Sequence, residues 1–211
     1  MTEVTAGYLG NDKGGNDTSE KDPISGLYPH QGENRYQASI KHQGGGDSSW
    51  ATFLDFNHVS DVDYFRDIGQ MLPDDNSLTH LNRQASLSYT TPNWNLVLQT
   101  RDFQSITEGL TDQYALLPRI SINGNYRLLN NLVIDLKHEH AVFDHENPDF
   151  TTGSRNRVDY QISWDQQWNW GFFNPKLGFK HISYDLNKSQ ADNLINTDQT
   201  PSVSASILSL D

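Results

Sequence analysis

Large apolar side chains recur at every second position through much of the chain. Trp94, Leu96 and Leu98 alternate with Asn95, Val97 and Gln99, and Leu132, Ile134 and Leu136 with Val133, Asp135 and Lys137. Val158, Tyr160, Ile162 and Trp164 alternate with Asp159, Gln161 and Ser163, and Val203, Ala205 and Ile207 with Ser202, Ser204 and Ser206. Weaker copies start at Val4, Tyr36, Trp50, Ala85, Ile120 and Leu177. In a strand successive side chains leave on opposite faces, so period two makes each stretch a strand with one apolar and one polar face. No stretch sustains the i, i+3, i+4, i+7 spacing of an amphipathic helix. The reading is all-β, with ten strands of roughly eight to twelve residues, the length a tilted membrane strand needs. The last run loses its phase at Leu208-Ser209-Leu210, which predicts a bulge or strand end there.

The connections alternate as well. Short turns fall near His42–Ser49, Thr91–Asn93, Leu129–Asn131 and Asn169–Gly171, and long polar segments at Gly10–Glu33, Ser60–His80, Gln104–Leu117, Asp144–Arg155 and Asp185–Thr200. An antiparallel up-and-down barrel with tight turns on its periplasmic rim and long loops outside has this order, and its first strand then runs outward. Trp50, Trp94, Trp168 and Trp170 sit beside the short turns. Amphipathic rings prefer the boundary between hydrocarbon and water, so they predict an interfacial belt.

Composition sharpens the choice of solvent. Only 35% of the residues are hydrophobic, and mean hydropathy is -0.71. A soluble core would be hard to fill, whereas a barrel wall needs apolar groups on alternate positions only. No apolar run is long enough for a transmembrane helix. The opening Met1-Thr2-Glu3-Val4-Thr5 has no signal-peptide pattern, so a fragment of a longer protein is expected. The net charge of -12 speaks against nucleic acid as a partner. Cysteine is absent, which excludes disulfides and thiolate metal sites.

Candidate chemistry is sparse. His138 and His140 share a strand face and, with His145, suggest zinc, but no third ligand is evident and no metal site is assigned. Asp135, Lys137 and Glu139 face Arg157, Asp159 and Asp165, an arrangement open to acid–base work or to a mixed-charge lumen; the lumen is the preferred reading. Asp12, Asp17, Asp22, Asp74 and Asp75 are loop carboxylates that could meet divalent cations, with ordinary solvation the simpler account. No nucleophile elbow, phosphate loop or zinc-protease motif occurs, so no catalytic residue, enzyme activity or cofactor is expected.

Two stretches carry a family likeness: Tyr8-Leu9-Gly10-Asn11-Asp12-Lys13, and Asp55 to Asp67, whose most specific point is Val59-Ser60-Asp61 followed by Tyr64-Phe65. Both resemble the barrel of the LptD (OstA/Imp) family of lipopolysaccharide-assembly outer-membrane proteins. The resemblance implies that residues 1–211 are an early-to-middle part of one very large barrel in a Gram-negative outer membrane. The periplasmic jelly-roll domain, the paired cysteines and the closing strands would lie elsewhere, and the piece would be an open curved sheet. It also implies insertion of lipopolysaccharide into the outer leaflet. The implied partners are lipopolysaccharide, a plug lipoprotein of the LptE kind, a periplasmic lipopolysaccharide-bridge protein reached through the jelly roll, and membrane lipid. The sugar path would run along lumen-facing Gln84, Ser86, Ser88, Asn95, Gln99, Ser121, Asn123, Asp135, Lys137, Asp159, Gln161, Ser202, Ser204 and Ser206. The alternatives are another channel, porin-like, or a soluble carbohydrate-binding β-sandwich, which would bury one strand face under a second sheet.

Overall fold

The computed structural model describes every residue except 15–19, 47, 70–78, 108, 111–112, 129–130, 188–198 and 211. Eight strands follow one another as antiparallel neighbours: β1 (Thr2–Leu9), β2 (Arg35–Gly44), β3 (Trp50–Val59), β4 (His80–Thr90), β5 (Trp94–Ser105), β6 (Ala115–Leu128), β7 (Leu132–Asp144) and β8 (Thr152–Trp164). A small hairpin, β9 (Gln166–Trp168) with β10 (Gly171–Phe173), interrupts the series. Then β11 (Pro175–Asn187) pairs with β8 and β12 (Ser202–Leu210) with β11. The result is one ten-stranded open sheet whose edges are β1 and β12. Among the described residues no second large sheet covers either face, which removes the sandwich alternative.

Register assigns every strand residue to a face, because directly opposed residues in an antiparallel ladder point the same way. One face runs Val4↔Ile40↔Phe56, then Thr52↔Leu87↔Leu98↔Ile120, and Ile122, Leu136, Tyr160 and Phe179 continue it across β6 to β11. The other face is mostly polar: Ser86↔Gln99↔Arg119, and Asn123↔Lys137↔Asp159↔Lys180. The apolar face is also zoned along the strands. Toward the long loops it turns polar, with Arg83 opposite Asp102 and His140 opposite Asn156. Toward the short turns it ends in rings. Trp50 packs on Tyr89 with centroids 4.6 Å apart, and Trp94 meets Tyr126 edge-on at 5.5 Å, donating its indole N–H to the tyrosine hydroxyl. Trp164 continues the row opposite Leu132. Gly124 lies opposite Trp94 on this face, and a Cβ there would stand 2.7 Å from the indole, so a glycine lets the ring lie flat on the sheet.

Several expectations shift. Strand 6 breaks register between Leu116 and Arg119, where Pro118 brings no N–H to the ladder. Of the bulge or strand end expected at Leu208-Ser209-Leu210, the structure has the strand end: pairing runs without a bulge from Ser183↔Ser202 to Pro175↔Leu210, where β12 stops. The connection expected from Asp144 to Arg155 is shorter, because β8 already begins at Thr152. The turn expected at Asn169–Gly171 is the tip of the β9–β10 hairpin, a separate two-stranded sheet in which Trp168 and Trp170 stack at 5.2 Å. Residues 129–130 of another expected turn lie outside the described residues. A five-residue helix, α1 (Tyr64–Ile68), stands in what read as a plain loop.

Candidate functional site

Two features of the polar face are built from side chains that the sheet brings together. The first is a clamp at the long-loop rim. Beyond Phe56↔Arg83, β3 and β4 have no further paired residues, so Val59 lacks a backbone partner on that side. The Gln104 amide of β5 takes the vacant place: Val59 N–H donates to its oxygen at 3.1 Å and its nitrogen donates to Val59 O at 2.8 Å. The chain then turns over the polar face. Ser60 N donates to Tyr36 O and Tyr36 N to Ser60 Oγ, which extends the ladder by one rung through a side chain. The Tyr64 ring is buried with Val59 and Leu81, and Phe65 and Ile106 pack around them. A Cβ on Gly7 would stand 2.8 Å from the Tyr64 hydroxyl, so β1 needs glycine where the ring crosses it.

Arg35 ties this turn down. Its side chain is 3% exposed and reaches three carboxylates. Asp61 takes it bidentately, Nε to Oδ2 at 3.0 Å and Nη2 to Oδ1 at 2.7 Å; Asp12 and Asp67 each accept from Nη1 at 3.1 Å. The fork geometry of guanidinium makes the Asp61 pair specific as well as strong. His30 closes the cluster, 2.9 Å from Glu33 and 3.2 Å from Asp63. Burial disfavours the Asp61 anion, yet hydrogen bonds from Arg35 and Ser60 hold its pKa below the usual carboxylate value. Burial likewise opposes protonated His30, and the contacts with Glu33 and Asp63 outweigh it, so that pKa is raised. His30, Asp63 and Asp67 lie close enough to suggest a cation site. Arg66 already holds Asp63 at 2.9 Å and Arg35 holds Asp67, so guanidinium groups supply the positive charge there.

The second feature is the charge distribution. Ten of the fifteen Lys and Arg occupy the polar face: Arg35, Lys41, Arg101, Arg119, Arg127, Lys137, Arg155, Arg157, Lys176 and Lys180. Five strand acids share it, Glu3, Asp55, Asp135, Glu139 and Asp159; with Arg35 neutralised by the clamp carboxylates, nine strand cations face these five acids on a chain of net charge -12. Glu139 bridges Arg119 and Arg155, each at 2.6 Å, and Lys180 meets Asp159 at 3.3 Å.

Of the residues expected to line a sugar path, Gln84, Ser86, Ser88, Asn95, Gln99, Ser121, Asn123, Asp135, Lys137, Asp159 and Gln161 all lie on the polar face. Ser202, Ser204 and Ser206 do not join them. Opposed to Ser183, His181 and Phe179, they lie on the apolar face, and Val203, Ala205 and Ile207 lie on the polar one. Hydrogen-bond register with β11 decides this, since a shift of one residue exchanges the faces of a strand. The histidine grouping does not assemble: His140 bonds Asn156 at 2.8 Å, and His145 stacks on Phe150 at 4.1 Å. Of the loop carboxylates, Asp12 serves Arg35, and Asp22 accepts the N–H groups of Ile24 and Ser25 at 2.9 and 2.7 Å to shape a turn. Asp17, Asp74 and Asp75 lie outside the described residues. Val59, Ser60, Asp61, Tyr64 and Phe65 prove to be parts of the clamp. Arg35, its hub, went unmarked in the sequence because it stands 26 residues from Asp61.

Comparison with known proteins identifies the family. The family model for LPS transport system D, LptD, matches residues 33–211. The LPS-assembly protein LptD of Saccharophagus degradans is 30% identical over the whole chain, which covers 26% of that relative. The protein of the same name in Chromobacterium violaceum is 30% identical over 87% of the chain and 23% of its own length. That of Vibrio vulnificus is 34% identical over 57% of the chain and 16% of its own length. The chain belongs to the LptD family and spans about a quarter of the length of the first two relatives.

Replacing Arg35 by Ala leaves Asp61, whose side chain is only 14% exposed, without its partner. It is expected to weaken closure of the turn by about 3–5 kcal/mol, whereas Asp67→Asn, at a more exposed contact, costs under about 1 kcal/mol. Hydrogen exchange of the backbone from Ser60 to Gly69 in the full-length protein measures both; equal protection in wild type and Arg35→Ala would refute the clamp. Closure should also depend on pH with opposite signs at its two ends. The Asp61 contribution is full above the ordinary carboxylate value of 3.8 and is lost as pH falls through its lowered pKa. The His30 contribution is full below 6.5 and is lost as pH rises through its raised pKa. Exchange rates across that range, compared with His30→Gln, which should remove only the upper transition, test the assignment.

Proposed function

We propose that this chain is part of the wall of an outer-membrane barrel that delivers lipopolysaccharide to the outer leaflet, with its apolar face against lipid and its polar face toward an aqueous lumen. The observation that carries the reading is the zoning of one face: an apolar band bounded by a Trp and Tyr row on one side and by charged and imidazole side chains on the other. Membership of the LptD family supports it, and the relatives are named for LPS assembly. Among the described residues no helix is long and apolar enough to cross a membrane, so crossing falls to the strands.

On this reading residues 1–211 belong to one barrel domain, with further strands continuing from the open edges of β1 and β12. Those edges carry unpaired backbone groups that a membrane interior would not tolerate. The short turns face the periplasm and the long loops the exterior. Gln84, Ser86, Ser88, Asn95, Gln99, Ser121, Asn123 and Gln161 offer a passing saccharide hydrogen bonds but no deep apolar grip. Transport of this kind breaks no covalent bond, and the wall acts without a catalytic residue. A plug lipoprotein in the lumen, and a periplasmic bridge protein docked through a jelly roll, complete the proposed assembly.

Lipid and lumen exposure predict a contrast between neighbours. Leu98→Arg, on the apolar face, is expected to destabilise the full-length barrel by about 2–4 kcal/mol in lipid vesicles, and Val97→Arg, on the polar face, by under about 1 kcal/mol. Equilibrium unfolding in urea measures the difference, and equal costs would sink the two-solvent assignment. Depleting the full-length protein from its Gram-negative host should lower lipopolysaccharide at the cell surface, read by surface-specific labelling. Undiminished surface lipopolysaccharide would refute the transport role.

A further inference from the structure

We infer that the polar face of β6, β7, β8 and β11 carries an anion-binding strip that takes the phosphate groups of a saccharide moving along the wall. This deepens the proposed channel role, on which it rests, by naming the chemistry that the wall touches. The strip occupies three consecutive rungs. Arg119 and Arg155 bracket Ala141 on one, Glu139 faces Arg157 on the next, and Lys137, Asp159 and Lys180 form the third. Five cations thus surround two carboxylates. Each carboxylate is already engaged, Glu139 by Arg119 and Arg155, Asp159 by Lys180. Lys137 and Arg157 remain. They are exposed, sit diagonally across the β7–β8 ladder, and have no ion-pair partner among the described residues.

Diagonal neighbours stand about 7 Å apart in a sheet, a gap one phosphate bridges with its several acceptor oxygens. An uncharged sugar would need only the hydroxyl and amide groups found elsewhere on this face. Unpaired like charges side by side repel, so their placement here fits an anion that arrives from outside the chain. The surplus also runs against the composition, since an acidic chain has gathered most of its cations on this one surface. The paired carboxylates hold Arg119, Arg155 and Lys180 in place and cap the field, which suits repeated binding and release better than a trap.

The test is titration of the full-length protein with phosphorylated core oligosaccharide, and with the same oligosaccharide after removal of its phosphates. Wild type should prefer the phosphorylated form by about tenfold, the scale of one or two half-exposed charge-assisted hydrogen bonds. The double variant Lys137→Gln/Arg157→Gln should lose the preference, and Lys137→Arg/Arg157→Lys should keep it. Equal binding of both sugars by wild type overturns the strip, as does a preference that survives the glutamine variant. Should the glutamine variant not reach the membrane, raising the ionic strength on wild type decides: the preference should collapse as screening tightens, and a salt-independent preference overturns the strip. Failure of the channel reading shows elsewhere, as unchanged surface lipopolysaccharide on depletion, whatever the titration gives.

Discussion

The structure depends on the backbone hydrogen-bond ladder and the two-residue period it imposes. An antiparallel ladder satisfies the N–H and C=O groups between strands, which a membrane interior demands of any segment that crosses it. The same ladder sends alternate side chains to opposite faces, so a single sheet separates an apolar from a polar surface without needing a core. That is why a chain with only 35% hydrophobic residues holds an ordered ten-stranded sheet. Few hydrophobic residues are buried: among the described ones they are Val59, Tyr64, Leu81, Ala115 and Ala141. Their small number follows from a single large sheet whose apolar face no second large sheet covers among the described residues.

Where the ladder stops, side chains take over its work. At the end of β3 the Gln104 amide and the Ser60 hydroxyl supply the donors and acceptors that a neighbouring strand would have given. Arg35 then neutralises three carboxylates from two separate connections, Asp12 after β1 and Asp61 and Asp67 after β3, and turns a strand end into an inward-folded loop. The buried guanidinium is stable only while those partners are present, so the clamp is cooperative. It also narrows the space above β1, since the Tyr64 hydroxyl lies directly over Gly7. The rim of the wall is thereby shaped by electrostatics, its middle by backbone pairing.

Charge is sorted by face. Cations gather on the polar side of the sheet, while many acids sit in the connections, where water screens them. Such sorting gives the polar face a local attraction for anions that the chain's net charge of -12 would not predict. Pairing of Glu139 with two arginines moderates the attraction.

Much of this was legible beforehand. Alternation at Trp94–Gln99 and Leu132–Lys137 located the strands, their two faces and the order of connections, because period two is a local property of extended chain. The Val59-Ser60-Asp61 and Tyr64-Phe65 pattern also stood out, though not what it does. Three things needed the tertiary structure. Arg35 became the partner of Asp61 only when β2 lay beside β3, a contact across 26 residues that no local pattern encodes. The polar surplus emerged only when registers lined up Arg119, Lys137, Arg157 and Lys180 on adjacent strands. Ser202, Ser204 and Ser206 show the remaining limit: alternation says that a strand has two faces, but the ladder with its neighbour decides which of them looks which way.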